Sequence, residues 1–393
     1  MVTLVEFLDD EPIENVKTCL NYRVDNVIYF GYHDRILKYK NNLTNFLTRE
    51  CSVGRVVFHE LSRWSLPSML KSIRTAIADE KAAGAHIYFD VTGGEDLILV
   101  AFGMVAREVD ASLHVYDLST GKLVELEEGA SHYISKDVPT QDIKLDIDNY
   151  IKLTCGVVNH RLHKEIKNIN DLDFSKDVDS LWEISTTYKT SWNVFSTFIR
   201  GNLKSVESDD LLVVSSENEV IRALSGSNLK NRLSAKRLMM IIDALAQRGL
   251  LVQVDHSDGR FTFRYKNELI KSCIWDSGSV LELNTYKQMV GDSDDCMVGV
   301  HLDWDGTIHP MAGQDVYNEI DVLAIKDGIP TFISCKAGHL NANTTLHALY
   351  ELQTVTQRFG GRYAHKILAT IDSIDGVYAK RAEEMGIELK SYS

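Results

Sequence analysis

The stretch Asn318-Glu-Ile-Asp-Val-Leu-Ala-Ile-Lys-Asp-Gly-Ile-Pro-Thr-Phe-Ile-Ser-Cys-Lys336 reads as two short apolar strands joined by a turn at Asp327-Gly328. A two-residue turn there pairs Lys326 with Ile329. Counting outward sets Asp321 opposite Ser334 and Glu319 opposite Lys336. Residues two apart share a strand face, so strict alternation projects all four side chains from one side. Two carboxylates, a hydroxyl and an amine then converge beyond the apolar part of the hairpin. That donor set suits a hard divalent cation and an activated water. A simpler arrangement suits the same charges, because Asp and Lys at hairpin ends commonly form solvated cross-strand pairs.

The flanking sequence places the hairpin in an α/β unit over residues 271–393. A helix over 278–291 carries Glu282, and 298–302 is a first strand. Beyond the hairpin come a helix over about 343–358, a strand over 367–370 and a helix over about 376–385. Arg358, Arg362 and Lys366 form a candidate basic patch for a nucleic-acid backbone. Asp321, a turn, and Ser334-Cys335-Lys336 on the next strand resemble the core of PD-(D/E)xK nucleases, with Glu282 as the upstream helical acid. The resemblance implies an α/β/α restriction-endonuclease-like fold and a Mg²⁺ or Mn²⁺ ion held by Asp321, Glu282 and the main chain of Cys335. It makes Asp321, Lys336, Ser334, Glu282 and Glu319 the candidate catalytic residues. Where that pattern usually has Glu or Asp, this chain has Ser334, a neutral and weaker ligand for which Glu319 or Glu282 compensates.

Composition bounds the rest. A chain of 393 residues exceeds one typical core, so two or three domains are expected. Hydrophobic residues at 44% and charged residues at 25% are ordinary for a globular protein. No apolar run reaches membrane-spanning length, and the start MVTLVEFLDDEP lacks the basic-then-apolar pattern of a signal peptide. Six scattered cysteines without a CxxC pair fit a reducing cytoplasm and no disulfide framework. A net charge of −14 excludes broad non-specific nucleic-acid binding and confines any such contact to a local patch.

Toward the N-terminus, strands over 2–7, 25–30, 55–58, 86–90 and 112–116 alternate with helices from about 13, over 35–49, near 66–83 and from about 96. Such alternation predicts a doubly wound, Rossmann-like domain over residues 1–140 with a parallel sheet. Ligands of such sheets sit outside the carboxyl ends of the strands. Asp90-Val-Thr-Gly-Gly-Glu95 lies there, and Gly93 and Gly94 let backbone N–H groups approach a phosphate. Equally, Thr92 serves as a helix cap and the glycines as a tight turn. A strand ending in Asp90-x-Thr92-Gly93-Gly94 resembles the CRISPR-associated Rossmann-fold (CARF) sensors. That resemblance implies a cyclic oligoadenylate, the tetra-adenylate foremost, bound across a homodimer interface. Its contacts would be Thr92, Gly93, Gly94 and Glu95, with Asp9 and Asp10 of the first-strand loop.

Between the two units, residues 141–270 read as a helical linker and a winged-helix connector. Trp182 and Trp192 are expected core anchors. A helix from Ser234 to Gly249 is followed by strands at 250–254 and 260–265 around Asp258-Gly259. As a DNA reader its helix would offer Lys236, Arg237 and Arg248 to phosphates, whereas as a spacer it would not. In this order the three units resemble the CARF-plus-endonuclease effectors of type III CRISPR defence. That implies a cytoplasmic prokaryotic enzyme, activated by cyclic tetra-adenylate and free of the membrane, which cleaves single-stranded DNA or RNA or nicks duplex DNA. The alternative is a ligand-responsive winged-helix DNA-binding regulator with an inactive nuclease-like domain.

Overall fold

The computed structural model describes residues 1–393 except 118–121, 127–130, 134–138, 163–165, 167–171, 230–231, 310–316, 339, 375 and 393. The N-terminal sheet contains β1 (Val2–Phe7), β2 (Asn26–Gly31), β3 (Arg55–Glu60), β4 (His86–Asp90), β5 (Ser112–Asp117), β6 (Lys122–Leu126) and β7 (Ser131–Tyr133). Their order is β3-β2-β1-β4-β5-β6-β7. The first five are parallel, as the alternating pattern predicts, and the order reverses between β1 and β4. The antiparallel extension by β6 and β7 adds to the sequence expectation.

Near-continuous apolar runs make these strands buried on both faces. Val5, Phe7, Ile28, Phe30 and Phe89 pack against helices Leu66–Ala82 and Asp96–Val109. On the other face Leu4, Val27, Tyr29 and Tyr88 pack with Leu43 and Phe46 of helix His33–Arg49. That second core does not stop at the N-terminal unit. It runs on through Tyr150, Val300, Leu323, Phe332, Leu349 and Phe359 into the C-terminal sheet.

Helix Ile147–Leu153 and the short strand β8 (Val157–Val158) follow. The sequence reading grouped both with the connector. Their apolar side chains instead join the shared core, and β8 pairs with the C-terminal sheet at Leu302 and Asp303. The connector has a second core, with Trp192 in it at 1% exposure, and Val280 and Leu283 from the start of the C-terminal unit join it. Trp182 lies at its edge, T-shaped against Tyr392 with ring centroids 5.2 Å apart. Its sheet contains β9 (Ser205–Val206), β10 (Asp209–Ser216), β11 (Leu251–Asp255) and β12 (Arg260–Tyr265), in the order β11-β12-β10-β9. Helix Ala235–Gln247 precedes the β11–β12 wing, and Ser234 caps it by accepting from Arg237 N at 3.2 Å. A winged helix is therefore present.

The C-terminal sheet contains β13 (Asp295–Asp303), β14 (Tyr317–Lys326), β15 (Ile329–Lys336), β16 (His365–Thr370) and β17 (Glu388–Ser391), with β8 at its edge beside β13. The hairpin turn forms as expected: Asp327 and Gly328 adopt φ of 51° and 68°, the left-handed pair a tight hairpin requires. Helix Ala342–Phe359 covers the face toward the N-terminal unit, with Asn341 capping its first turn. Helix Gly278–Val290 covers the other face through Leu281 and Tyr286. At the seam, a Cβ on Gly156 would lie 2.5 Å from Phe359 Cε1, so only glycine admits that ring.

Candidate functional site

The β14–β15 ladder pairs Lys326 with Ile329 and closes at Val322–Ile333. One residue beyond, the Asp321 carboxylate accepts from Ser334 Oγ at 3.2 Å and from the Cys335 N–H at 2.5 Å. Lys336 Nζ is 3.8 Å from the same oxygen. Asp321, Ser334 and Lys336 thus meet where the sequence places them. Helix Gly278–Val290 presents Glu282 and Thr285, three residues apart and both buried, on one face. The Cys335 thiol reaches Thr285 Oγ1 at 3.7 Å. Burial, and then the Asp321 charge, push that thiol well up, which keeps it protonated and leaves the Cys335 main chain as its polar contribution.

Glu319 is the exception. Its carboxylate lies 3.9 Å from His301 Nε2, across β13 rather than toward Lys336. Strict alternation fails because the β13–β14 register skips Gly299 and Asp321, and Gly299 has φ of 61°. Ile320 and Leu323 consequently share one core while Val322 enters the other. Asp321 sits at this irregularity, a common way for a strand to re-aim a functional side chain.

No three His, Cys, Asp or Glu side chains among the described residues converge as a ready metal cluster. The available donors are nonetheless of the hard-oxygen type. Asp321 commits one oxygen to Ser334 and Cys335, and its other oxygen takes no hydrogen bond among the described residues. A second carboxylate, Glu282, is close enough for its charge to be felt at Cys335. These donors fit Mg²⁺ or Mn²⁺. Beside the end of β15 opens a cleft of ≈ 680 Å³, lined by Gly338, Asn341, Thr345, Thr370, Asp372 and Tyr378 among others.

Of the expected basic patch, Arg358 and Lys366 are engaged within the fold. Arg358 donates to the carbonyls of Thr154, Cys155 and Trp304 at 2.8–3.1 Å. Lys366 donates to Gln353 Oε1 and the Met385 carbonyl, whereas the Arg362 side chain is exposed and feels the Glu14 charge, which raises its pKa. In the connector, Arg237 lies 4.6 Å over the Tyr188 ring and Arg248 pairs with Glu183 at 2.5 Å, which leaves Lys236 exposed.

At the carboxyl end of the N-terminal sheet, Asp90 organises the glycine loop. It accepts from Thr92 N at 2.8 Å and from the Thr92 hydroxyl, while Thr92 Oγ1 accepts from Tyr116 N at 2.7 Å. Gly94, with φ of 131°, donates its N–H to Asp9 Oδ2 at 3.1 Å. A Cβ on Gly93 would lie 3.1 Å from Glu14 Oε2, so the loop fits closely against residues 9–14. Asp9, Asp10 and Glu95 are three carboxylates beside this loop. The fold gathers them around Arg35, which forms paired bonds with Asp10 at 3.0 and 2.8 Å and lies 3.4 Å from Glu95 and 3.9 Å from Asp9. Tyr32 OH also donates to Glu95 at 2.7 Å. Sequence reasoning missed Arg35 and Tyr32. Their only signal is their position just after β2, at the same sheet edge.

The segment carrying Asp9 and Asp10 also reaches the C-terminal unit. Arg362 N donates to Glu11 Oε2 at 3.3 Å, and Tyr150 OH donates to the Gly360 carbonyl at 2.7 Å. A cavity of ≈ 470 Å³ lies between Asp10, Glu11, Tyr39, Tyr150, Arg358 and Gly361.

Fold and site together define a class: a doubly wound unit and an endonuclease-like unit, joined by a winged helix. Residues 273–392 match the family model described as Card1-like, endonuclease domain. No curated protein matches the chain in sequence. Among solved structures, the fold is similar to protein VC1899 from Vibrio cholerae, with a TM-score of 0.71, 16% identity, and coverage of 100% of this chain and 94% of that one. It is similar to Can2 from Sulfobacillus thermosulfidooxidans in complex with cyclic tetra-adenylate, with a TM-score of 0.63, 14% identity, and coverage of 99% and 93%. A type III CRISPR defence DNA nuclease activated by cyclic oligoadenylate has a TM-score of 0.50 and 12% identity, with coverage of 95% of this chain and 49% of that one. Among the described residues no helix is long and apolar enough to cross a membrane.

Proposed function

We propose that this chain is a cyclic-oligoadenylate-activated, metal-dependent nuclease of type III CRISPR defence, a homodimer working in a prokaryotic cytoplasm. The observation that carries the reading is Asp321, tied to Ser334 and the Cys335 N–H with Lys336 at 3.8 Å, inside a stretch matching an endonuclease model. The two similar structures described with cyclic tetra-adenylate and cyclic oligoadenylate support the activator. Its substrate is single-stranded DNA or RNA, or one strand of a nicked duplex, laid along the cleft beyond β15.

Asp321, Glu282 and the Cys335 main chain hold Mg²⁺ or Mn²⁺, which when bound supplies Lewis acidity and a water of lowered pKa. Ser334 and the Cys335 N–H fix the Asp321 carboxylate. Lys336 orients the attacking water or neutralises charge developing on the phosphate. In the N-terminal unit Thr92, Gly93, Gly94 and Glu95 face the cyclic ligand with Asp9 and Asp10, between two copies of the chain. Ligand shifts the equilibrium only by binding one arrangement better. Residues 9–14 supply the coupling, since they adjoin both the glycine loop and the end of helix Ala342–Phe359. The regulator reading gains nothing from the connector, where Arg237 and Arg248 are engaged internally.

The test is cleavage of single-stranded DNA, single-stranded RNA and supercoiled plasmid in Mg²⁺ or Mn²⁺, with and without cyclic tetra-adenylate. Asp321→Ala and Lys336→Ala are expected to abolish ligand-stimulated cleavage, by at least about a hundredfold, while leaving ligand binding intact. Cleavage retained in both variants removes the site assignment.

A further inference from the structure

Trp64 stands apart from the other tryptophans of the chain. It is 88% exposed, whereas Trp182, Trp192, Trp275 and Trp304 are buried or half-buried. Its φ of 64° puts a bulky side chain in the left-handed region, a conformation usually kept only where the surroundings hold it for a purpose. It lies between the carboxyl end of β3 and helix Leu66–Ala82, at the same sheet edge as the glycine loop.

Contacts tie its neighbour to that loop. The Arg63 guanidinium sits 4.2 Å over the Tyr32 ring, Tyr32 OH bonds Glu95, and Glu95 meets Arg35, which holds Asp9 and Asp10. Arg35 is 12% exposed and occupied by carboxylates, so the cluster carries little free positive charge at its centre. Arg63 is half-exposed, with Asp34 as its ion-pair partner at 3.7 Å. An open indole one residue along the chain from a half-exposed guanidinium offers a π-face and a cation on one loop, the combination that single-stranded nucleotides select. Its chain neighbours Ser62, Arg63 and Ser65 are polar, which is unlike the contiguous apolar area of a stable protein interface.

We propose that Trp64 is a base-stacking residue of the N-terminal ligand site, taking one purine face of the oligoadenylate while Arg63 meets the adjoining phosphate. This rests on the reading of the N-terminal unit as an oligoadenylate sensor and adds the residues that grip the nucleotide outside the glycine loop.

The experiment is a calorimetric titration of full-length wild type, Trp64→Phe and Trp64→Ala with cyclic tetra-adenylate, with light scattering and thermal melts on each. Wild type binds, Trp64→Ala weakens affinity about tenfold or more, Trp64→Phe keeps most of it, and all three have the same mass and melting temperature. Equal affinity in wild type and Trp64→Ala overturns the proposal. So does a change of oligomeric mass in Trp64→Ala without a change in affinity, which would assign the indole to a protein contact. Wild type that fails to bind overturns the sensor reading and this inference with it.

Discussion

Glu6 and Asp90 are neighbours in register on β1 and β4, both almost fully buried, and they cannot both carry charge cheaply. Burial, reinforced by Asp90, pushes Glu6 well above its ordinary range. Burial also works against the Asp90 charge, but His114, Thr18 and Thr92 outweigh it and hold that carboxyl below its usual value. The two groups pull stability in opposite directions. Glu6 stabilises fully below the unfolded pKa near 4.5, and that contribution is lost as pH rises through its raised folded value. Asp90 stabilises above its unfolded value and loses that contribution as pH falls through its lowered one. Glu6→Gln keeps an acceptor for Asn15, so it is expected to raise the melting temperature at pH 8 and change it little at pH 4. Thermal melts across that range check this. At this scale the hairpin was the most legible part of the chain, because a two-residue turn fixes the Asp321–Ser334 register. Glu319 was misplaced by the same counting. Gly299, a glycine inside a strand pattern, was the available signal that alternation breaks there.

Most elements were readable from periodicity, but not what their ends touch. Arg358, Arg362 and Lys366 looked like a patch because sequence shows proximity and hides partners. In the fold Arg358 and Lys366 fasten helix Ala342–Phe359, and the strand after it, to other parts of the chain, and Arg362 does so through its main-chain N–H. Similarly, sequence offered Asp9 and Asp10 as ligand contacts and hid Arg35 of helix His33–Arg49, which comes back to meet them. The helix end is a sensitive point. Gly361 has φ of 67°, and a Cβ there would run into Glu11 Oε2. Gly361→Ala is expected to cost about 1–2 kcal/mol in urea unfolding. It should weaken ligand-stimulated cleavage more than ligand binding, because the contact lies between the two sites. Equal losses in binding and cleavage would place the coupling elsewhere.

Across the whole molecule, the central feature is one core shared by the N-terminal and C-terminal sheets, while a second core joins the connector to Val280 and Leu283 of helix Gly278–Val290. Composition announced several domains, and only tertiary packing revealed that two of them share an interior. β8 adds a second tie, since residues far before the endonuclease-like stretch complete its sheet. A fragment spanning 273–392 therefore lacks both its edge strand and the apolar surface that covers helix Ala342–Phe359. It is expected to show no cooperative unfolding transition in denaturant, whereas the full chain melts its two α/β units together. Circular dichroism of the fragment and the full chain decides this.

The absence of a side chain at Gly156, where the Phe359 ring enters, gives that seam a history as well as a shape. Any larger residue there demands a simultaneous change in the Phe359 ring, so positions 156 and 359 must vary in step. The segment around Gly156 and the helix that ends at Phe359 can be inherited together, but a lineage cannot exchange one of them for a foreign version and keep the other unchanged.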